Sequence, residues 1–361
     1  MRVLMITQKV DLDDSLLGFT HTWINKLANR VAALYVLALA VGRTSLTENT
    51  TLFSMGKELG KNRLWRLVRF NQVLTDLALS RKIDLLFVHM CPRYAILAAP
   101  YTKLAGIPMV MWFTHKQVST ELRIAYQLVD RVLTASQESF RLNGNKTCII
   151  GHGIDTERFK PAAVKKNGDT STILSLGRIA PIKDYETLIT AAHFLIHQQG
   201  RHNLRFVIVG EIALPSHQAY LDHLHDLVSR HQLSGYVTFV GGVPHDKVVD
   251  YYQGCDLFVN MSHTGSLDKA VLEAMACGKI PLTCNEAFVE LFGDWADRLI
   301  FEKGNEGDLA DRILWALEMP GEARVRLEKR LRDLVKEGHS IEGLIDRTME
   351  IFQEVVKERQ Q

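Results

Sequence analysis

Two cations stand five positions apart in the second half of the sequence, directly after an apolar run. Arg178 follows Gly177 at the end of Ile173–Leu176, and Lys183 precedes a helical pattern that begins near residue 184. A guanidinium can bind two phosphate oxygens side by side, and an ammonium adds a compact charge next to them. Glycine lets a ligand approach the backbone closely. The segment indicates a diphosphate site, while a pair of surface charges flanking a turn remains open as the alternative.

A second candidate segment combines a loop of small residues with the start of a helix. The loop and the first helical positions are Gly265, Ser266, Leu267, Asp268 and Lys269, and the helical pattern runs from about 268 to 277. The amides and the positive dipole end of a helix start suit phosphate or sugar hydroxyls. Glu273 follows among apolar residues, where a carboxylate needs a partner. A ribose hydroxyl pair, an internal arginine or a backbone amide could each be that partner.

Both segments lie in a chain whose apolar runs alternate with helical patterns from end to end. The strand candidates are Val3–Thr7, Leu34–Leu39, Leu85–His89, Met109–Phe113 and Val132–Ala135, then Ile173–Leu176, Phe206–Val209, Val237–Val240, Leu257–Asn260 and Ile280–Thr283. Strands that are apolar throughout, with helices between them, are typical of a parallel sheet covered on both faces. The sequence therefore predicts an α/β protein with two doubly wound parallel sheets.

The alternation stops once, in a polar segment that carries Pro161 and Gly168. This break predicts an N-terminal domain over residues 1–160, a linker over 161–170 and a second domain over 171–340. A further helical pattern near 341–358, in residues 341–361, closes the chain. Ligands of such sheets bind at the carboxyl ends of the strands, so we expect the site between the two domains.

The net charge of +2 conceals an asymmetry between the two halves. Residues 1–150 hold 19 Lys and Arg against 10 Asp and Glu, whereas the remaining 211 hold 24 against 31, so the halves carry +9 and −7. A basic half suggests a domain that faces something anionic, and simple solvation of that half is the alternative. We expect no nucleic-acid partner, because no zinc, helix-turn-helix or aromatic-basic motif accompanies the charge.

One basic helix, the five cysteines and the absence of long apolar runs bear on the cellular compartment of the protein. Arg63, Arg66 and Arg69 step at three-residue intervals among leucines, which fits either an ordinary surface helix or a patch for anionic lipid. The five cysteines are scattered without a C-x-x-C spacing, as expected of buried thiols in a reducing compartment. No apolar run reaches the roughly 18–20 residues of a spanning helix, and the first run is too short for a signal peptide. We expect a cytoplasmic protein, with peripheral contact at the inner membrane face through the basic domain as an open extension.

The order of these motifs resembles the retaining glycosyltransferases of family 4. Arg178-x4-Lys183 is followed about 90 residues later by Leu272–Gly278, with the sequence LEAMACG. Gly151–Phe159 is similar to the hinge-side segment of that family, and Val209–Glu211 and Phe239–Pro244 are similar to its strand ends near the nucleotide base. The resemblance covers most of residues 150–285. It implies the GT-B fold, in which two Rossmann-like domains face each other across a cleft.

The resemblance also implies roles for residues. The donor is a UDP-, GDP- or ADP-linked sugar, Arg178 and Lys183 neutralise its departing diphosphate, and Glu273 holds the ribose hydroxyls. The family places a residue over the donor sugar where this chain has His115, although a packed or capping histidine is the alternative. The other implied donor-binding positions are Gly177, Gly210, Glu211, Val243, Pro244, Gly265, Ser266, Leu267, Asp268 and Lys269. No metal and no cofactor are implied, because cations and helix dipoles supply the charge.

The first domain is expected to bind the acceptor. The loop after the first strand is reduced to Gly18 where the family has a pair of glycines, and the loop Asp11–Asp14 with His21 and Trp23 either lines the acceptor site or is a solvated loop. The resemblance further implies that the helix near 341–358 packs back on this domain. The acceptor itself, whether a glycan, a lipid or a small molecule, stays open.

The sequence departs from the family at its first site carboxylate. The glutamate that the family has eight residues before Glu273 is replaced by Gly265. Asp268 can take over a sugar hydroxyl from the same loop, or it can be the N-cap of the helix that follows. The expected function is a metal-independent, retaining transfer to an acceptor hydroxyl, in the synthesis of glycans or glycolipids such as cell-envelope polysaccharide. A nucleotide-sugar-binding scaffold without transfer and a GT-B sugar epimerase are the alternatives.

Overall fold

The computed structural model describes residues 1–14, 17–142, 144–163, 169–244 and 247–360. The chain forms two compact units, of which the first comprises Met1–Gly153 with Ile341–Gln361 and the second Ile154–Ser340. Each unit contains one sheet, and every paired strand runs parallel to its neighbour. The predicted α/β class with two doubly wound sheets is therefore confirmed.

The sheet of the first unit has seven strands in the order β3-β2-β1-β4-β5-β6-β7. They are β1 (Arg2–Val10), β2 (Ala33–Val41), β3 (Thr50–Ser54), β4 (Leu85–His89), β5 (Met109–Trp112), β6 (Arg131–Thr134) and β7 (Thr147–Ile149). The apolar runs predicted five of these strands. The runs missed β3 and β7, which lie at the two edges of the sheet and carry threonines, because an edge strand needs less apolar cover than a central one.

The sheet of the second unit has five strands in the order β10-β9-β8-β11-β12. They are β8 (Ser171–Leu176), β9 (Leu204–Val209), β10 (Val237–Gly241), β11 (Leu257–Asn260) and β12 (Pro281–Thr283). The chain builds outward from β8 on one side and then continues with β11 on the other side. The order of connection reverses between β8 and β11, and the crevice at the carboxyl ends of such a strand pair is where open α/β sheets bind ligands.

Thirteen α-helices cover the two sheets in the described part of the chain. They are α1 (Phe19–Ala28), α2 (Arg63–Leu74), α3 (Pro92–Ala105), α4 (Thr120–Leu128), α5 (Tyr185–His193), α6 (Gln218–Arg230), α7 (Val248–Gly254), α8 (Lys269–Ala276), α9 (Val289–Phe292), α10 (Ala296–Leu299), α11 (Glu306–Leu317), α12 (Gly321–His339) and α13 (Ile341–Gln360). Turns of π-helix extend α2 and α5 over Thr75–Leu79 and Phe194–Gln198. Turns of 3₁₀-helix lie at Pro181–Lys183, Pro215–His217, Glu286–Phe288 and Gly293–Trp295. The sequence analysis did not predict α7, α9 and α10, which are too short to show a helical repeat.

The last helix completes the core of the first unit. Its residues Ile341, Leu344 and Phe352 are fully buried, and the Phe352 ring lies 5.2 Å from that of Phe87 in β4. Gly153 packs closely against the start of this helix, because a Cβ there would lie 2.8 Å from the side-chain ends of Ile341 and Leu344, which would have to shift. The helix therefore supplies apolar cover that α1 alone does not give to this face of the sheet.

The boundary between the units differs from the predicted position at residue 160. The segment from Ile154 to Lys160 already belongs to the second unit. The backbone N–H of Ile154 donates to the carbonyl of His339, and the ring of Phe159 is buried 5.9 Å from that of Tyr252. This segment was read as part of the first domain because the polar linker begins only at Pro161. Residues 164–168 of the predicted linker lie outside the described part of the chain.

Candidate functional site

The reversal of strand order in the second unit brings two loops together. One loop leaves β8 and carries Gly177, Arg178 and Lys183, and the other leaves β11 and runs to the start of α8 at Lys269. Because β8 and β11 are parallel neighbours, both loops emerge at the same edge of the sheet. Segments about 85 residues apart in the sequence therefore form one site.

The contact between the two loops is an ion pair that is largely shielded from solvent. The ammonium of Lys183 lies 2.9 Å from Oδ1 of Asp268, and it also donates to the hydroxyl of Ser262 at 3.0 Å. The side chains of Lys183 and Asp268 are 13% and 12% exposed. A pair this shielded fixes both side chains, since separating them would leave a charge in a poorly solvated place.

The second carboxylate oxygen of Asp268 is also occupied. The Thr264 hydroxyl and the Asn285 side-chain amide each donate to Oδ2 at 3.1 Å, and the same amide donates to the carbonyl of Ser266 at 2.6 Å. Asp268 stands at the N-cap position of α8, but its side chain makes no capping hydrogen bond. The N-cap position allowed by the sequence analysis is therefore confirmed, but the side chain does not cap the helix. Its carboxylate instead fastens Lys183 to the loop that precedes the helix.

Glycines bring the strand ends of this sheet into contact at the predicted positions. A Cβ on Gly210 would lie 1.9 Å from the carbonyl oxygen of Gly177, and Gly210 has a φ of 152°, so no side chain fits there. The Tyr185 hydroxyl, at the start of α5, donates to that same carbonyl at 2.9 Å. Gly265 has a φ of 64°, which favours glycine where the family has its glutamate. Because Gly210 has no side chain, the backbone after β9 can approach the backbone of Gly177 after β8 closely.

The turn that carries Lys183 is fixed by its neighbours. Asp184 adopts a left-handed conformation with a φ of 46° and accepts a hydrogen bond from the Thr187 hydroxyl at 2.7 Å. His263 lies 3.2 Å from the Asp184 carboxylate, and its backbone N–H donates to the carbonyl of Ile182. Arg178, by contrast, is exposed. Lys183 is therefore a preorganised cation, and Arg178 is one that can move to meet a ligand.

Glu273 has an internal partner that the sequence analysis did not consider. The Tyr252 hydroxyl, on α7, donates to Oε2 of Glu273 at 3.0 Å, and the ammonium of Lys269 lies 3.9 Å from Oε1. Burial and the nearby carboxylate raise the pKa of Tyr252 well above its usual value, so the hydroxyl keeps its proton and remains a donor. Burial also lowers the pKa of Lys269. A tyrosine hydroxyl is thus the internal partner of Glu273, in place of the arginine or backbone amide that the sequence analysis named as alternatives to a ribose.

The remaining predicted donor-binding positions follow β9 and β10. The carbonyl of Glu211 accepts a hydrogen bond from the backbone of Ile179 at 2.9 Å, and its carboxylate lies against Gly242, where a Cβ would come within 2.6 Å. Val243 is half-buried and Pro244 is exposed, and the next two residues lie outside the described part of the chain. These positions line the same edge of the sheet as Lys183.

His115 belongs to the first unit, whereas the two cations belong to the second. The predicted strand Met109–Phe113 is β5, which ends at Trp112, so His115 lies three residues beyond the strand and is not packed at its end. Its side chain is exposed, and its Nδ1 accepts the backbone N–H of Gln117 at 3.1 Å. The predicted strand end at Phe113 differs from that of β5 by one residue, although the backbone N–H of Phe113 still donates to the carbonyl of Leu133 at 3.0 Å.

The predicted acceptor residues of the first unit are largely internal. The side chain of His21 is buried, and its Nε2 accepts the backbone N–H of Ser45 at 2.9 Å. Trp23 is buried against Trp112 at a ring separation of 4.9 Å. Both side chains therefore belong to the core rather than to an open acceptor surface, because α1 turns them inward. Gly18 lies before α1, where a Cβ would come 2.7 Å from the carbonyl of Asp14.

The acidic loop after β1 is internally paired. Lys9 lies within 2.9 Å of Asp11 and 2.6 Å of Asp14, and the guanidinium of Arg43 bonds both carboxylate oxygens of Asp13. These ion pairs favour the interpretation of this segment as a structural loop.

Sequence reasoning missed the residues that hold the site together. Ser262 and Thr264 follow β11, Asn285 follows β12, and Tyr252 lies in the helix before β11. The rule that ligand sites lie at the carboxyl ends of parallel strands would have pointed to the first three. Tyr252 gave no such signal, because tyrosine is common in the core of a domain.

Metal ligands and membrane spans are both absent from the residues that the structure describes. These residues include no group of three or more His, Cys, Asp or Glu side chains placed to hold a metal ion. Within the same residues, no helix has both the length and the apolar character needed to cross a bilayer.

Comparison with known proteins finds similarity over about half of the chain. Residues 156–334 match the model of the family Glycosyl transferases group 1. D-inositol 3-phosphate glycosyltransferase 2 of Catenulispora acidiphila is 30% identical over 166 residues, which cover 43% of this chain and 39% of that protein. Mannosylfructose-phosphate synthase of Agrobacterium fabrum is 26% identical over 181 residues, which cover 46% and 40%. The chain thus spans about two fifths of the length of these relatives.

Solved structures share the fold over the whole chain. HepE of Anabaena, in complex with UDP, has a TM-score of 0.77 and 18% identity, with 98% of this chain and 100% of that chain covered. This likeness confirms the expected GT-B fold of two Rossmann-like domains. The family match spans Arg178, Lys183, Asp268 and Glu273. Residues 156–334 are therefore similar to the glycosyl transferases group 1 family, over a segment that contains all four of these residues.

Proposed function

We propose that this protein transfers a sugar from a nucleoside-diphosphate sugar to an acceptor hydroxyl, as a retaining, family 4 type of glycosyltransferase. The observation that carries the proposal is the preorganised ammonium of Lys183 at the switch between β8 and β11, with Arg178 exposed on the same loop. A departing diphosphate develops negative charge at this edge of the sheet, and fixed cations stabilise such charge without reorganisation.

In the proposed transfer, one bond breaks, one bond forms and one proton moves. The bond between the anomeric carbon and the diphosphate oxygen breaks, and the acceptor oxygen bonds to that carbon from the same side. The acceptor proton passes to an oxygen of the leaving phosphate, so no protein base is required. Arg178 and Lys183 stabilise the diphosphate, and Glu273 receives the ribose hydroxyls beside the Tyr252 hydroxyl that already orients it.

The family resemblance and one solved relative support the donor class. HepE of Anabaena is described in complexes with UDP and with UDP-glucose. We therefore take a UDP-sugar as the first donor to test, with GDP- and ADP-sugars as the comparison. The transfer needs no metal in this proposal, because the two cations carry the charge that Mg²⁺ would otherwise supply. The acceptor is a hydroxyl in a glycan or glycolipid, made at the cytoplasmic face of the cell envelope.

A second candidate function is binding of a nucleotide sugar without transfer. It is favoured by one observation: Gly265 replaces the family carboxylate, and Asp268, the nearest substitute, is already bound to Lys183, Thr264 and Asn285. A scaffold of this kind would bind the donor and never consume it.

Donor hydrolysis separates the two functions. The protein is incubated with a panel of UDP-, GDP- and ADP-sugars, and release of the nucleoside diphosphate is followed with and without EDTA. The transferase predicts slow hydrolysis of one donor that is unaffected by EDTA and lost in Lys183→Ala. Tight binding of a donor without release of diphosphate supports the scaffold instead.

A further inference from the structure

The exposed large apolar side chains of this protein are concentrated at one place. Five of the fourteen in the described residues lie between positions 59 and 68, at the start of α2. They are Leu59, Leu64, Trp65, Leu67 and Val68. Leu64 is 69% exposed and Val68 is 48% exposed. A single exposed leucine needs no explanation, but a cluster of this size on one short segment marks an interaction surface.

Cations surround this cluster. Between residues 57 and 72 the chain carries Lys57, Lys61, Arg63, Arg66 and Arg69, against one acid, Glu58. None of the five cations forms an ion pair with another described residue. The Lys61 ammonium lies 5.5 Å from the ring centroid of Trp65, and the Arg69 guanidinium lies 5.8 Å from that of Phe53. We call these five apolar residues and five cations the α2 surface. No acidic side chain of the described residues neutralises its cations, so the surface is positively charged.

Helix α2 is anchored in the first unit, while the α2 surface stays exposed. The side chain of Asn62 caps α2 by accepting the backbone N–H of Trp65 at 2.9 Å, and Phe70, Val73 and Leu74 anchor the later part of the helix in the core. Gly56 makes room for Trp65, since a Cβ there would lie 2.7 Å from the indole ring. The helix is thus anchored at one end and presents its first two turns outward.

A groove continues the apolar surface toward the sheet. It has a volume of about 460 Å³ and begins beside the carboxyl ends of β2 and β3. Its lining is apolar at Leu39, Met55, Leu67, Phe70 and Leu97 and cationic at Arg63 and Arg66, while Arg93, which also lines it, pairs with Glu121. A lining that combines apolar and cationic side chains matches an amphiphile whose head group is anionic and whose tail is apolar.

We propose that the α2 surface docks this protein on an anionic lipid bilayer. Leucine, valine and tryptophan enter the boundary between head groups and acyl chains, while arginine and lysine pair with the anionic head groups. A second copy of the chain does not fit the same surface, because a two-fold contact would place five cations against five cations. The proposal concerns binding to a membrane and stands whether or not the chain transfers sugar.

Vesicle sedimentation of the full-length protein tests this docking. Phosphatidylcholine vesicles are compared with vesicles that also contain phosphatidylglycerol, at low salt and at about 0.5 M salt. We expect sedimentation with the anionic vesicles, little with the neutral ones, and a loss at high salt. Equal binding to both compositions, or no binding to either, overturns the proposal.

Matched variants assign the binding to this surface. Arg63→Gln with Arg66→Gln, and separately Leu64→Ser with Val68→Ser, are each expected to lower the vesicle partition coefficient by about tenfold or more. Lys103→Gln with Leu104→Ser changes an exposed cation and an exposed leucine on α3, in the same unit, and is expected to leave binding unchanged. Unchanged melting temperatures show that each variant is folded.

Two results would contradict the assignment. If the Leu64 and Val68 variant keeps full binding, the protein adsorbs by charge alone and the apolar residues do not enter the bilayer. If the Lys103 and Leu104 variant loses as much as the others, the basic first unit binds without a defined surface. Tryptophan fluorescence adds a direct readout, because the blue shift expected on vesicle addition should disappear in Trp65→Phe.

Discussion

Lys183 and Asp268 are joined by a 2.9 Å ion pair across two loops that leave neighbouring parallel strands. A carboxylate next to a proposed diphosphate ligand would be unexpected unless it had a structural role. Asp268 holds Lys183 in position, and Ser262 accepts a further hydrogen bond from the same ammonium. The pair has no net charge, so the exposed guanidinium of Arg178 supplies the excess positive charge that an incoming diphosphate requires.

Replacing Lys183 with alanine should lower transfer or donor hydrolysis by roughly 10²–10³-fold, by analogy with the loss of one preorganised donor. Arg178→Ala should cause a loss of similar size, with less effect on the melting temperature because its side chain is exposed. Lys303→Ala is the control, since this exposed lysine pairs with Glu286 on the surface. Steady-state kinetics check the result, and near-normal activity in Lys183→Ala would refute the proposed role.

Asp268→Asn should lower activity through Lys183. The amide keeps the size of the side chain but removes the charge that fixes the ammonium, so the turnover number should fall and the melting temperature should change by a few degrees. Serine is a good N-cap residue, but the Asp268 side chain does not cap α8. Asp268→Ser should therefore show the same losses of turnover number and melting temperature as Asp268→Asn. Kinetics and thermal unfolding of the two variants distinguish these outcomes, and a fully active Asp268→Ser would show that capping matters after all.

Tyr252→Phe should destabilise the second unit. The change removes the hydroxyl that donates to the buried Glu273, which typically costs about 1–3 kcal/mol. Tyr126→Phe is a matched control, because the buried Tyr126 hydroxyl has no hydrogen-bond partner among the described residues and its removal should be nearly neutral. Urea unfolding measures both variants. Equal stability of Tyr252→Phe and the wild type would mean that Glu273 does not depend on this donor.

Mild acid should destabilise the first unit through His21. Burial lowers the pKa of this histidine, so the folded state keeps it neutral at a pH where the unfolded state already binds a proton. The contribution of His21 to the free energy of unfolding is therefore fully present above the unfolded pKa of about 6.5. It is lost as the pH falls below that value toward the lowered pKa of the folded state. His21→Asn should flatten this slope in urea unfolding between about pH 7.5 and pH 5.5. An unchanged slope would show that other groups cause it.

Activity should persist in EDTA. The proposed diphosphate ligands are an ammonium and a guanidinium, whereas Mg²⁺ prefers carboxylate and water oxygens. Turnover with and without the chelator, and with added Mg²⁺ or Mn²⁺, checks this expectation. A strict requirement for either ion would mean that the diphosphate is held differently.

The sequence predicted the fold and the two cations because both leave local signals. Buried parallel strands appear as apolar runs, and Gly177, Arg178 and Lys183 follow such a run directly. The partners of Lys183 could not be predicted in the same way. The sequence left Asp268 open as a sugar ligand or as an N-cap, and only the strand order shows that its carboxylate meets a lysine 85 positions earlier.

In the first unit, the sequence analysis assigned His21 and Trp23 either to the acceptor site or to a solvated loop because they follow a polar segment. Neither interpretation is right, since α1 turns both side chains into the core. The sequence left α2 open as an ordinary surface helix or as a patch for anionic lipid, because a pattern of leucines and arginines does not reveal which apolar residues are buried. The structure shows that Leu64 and Val68 are exposed, which is the observation on which the proposed lipid docking rests.

Binding of UDP compared with uridine is the most direct test of the central claim that Arg178 and Lys183 hold the donor diphosphate. Titration calorimetry is performed on the wild type, Lys183→Met, Arg178→Met and the Lys303→Ala control, with GDP and guanosine as the second pair. The account predicts that the wild type binds one diphosphate far more tightly than its nucleoside, and that each methionine variant loses about tenfold or more of the affinity for the diphosphate alone. If the methionine variants bind the diphosphate as tightly as the wild type, the cations do not hold it and the account is wrong.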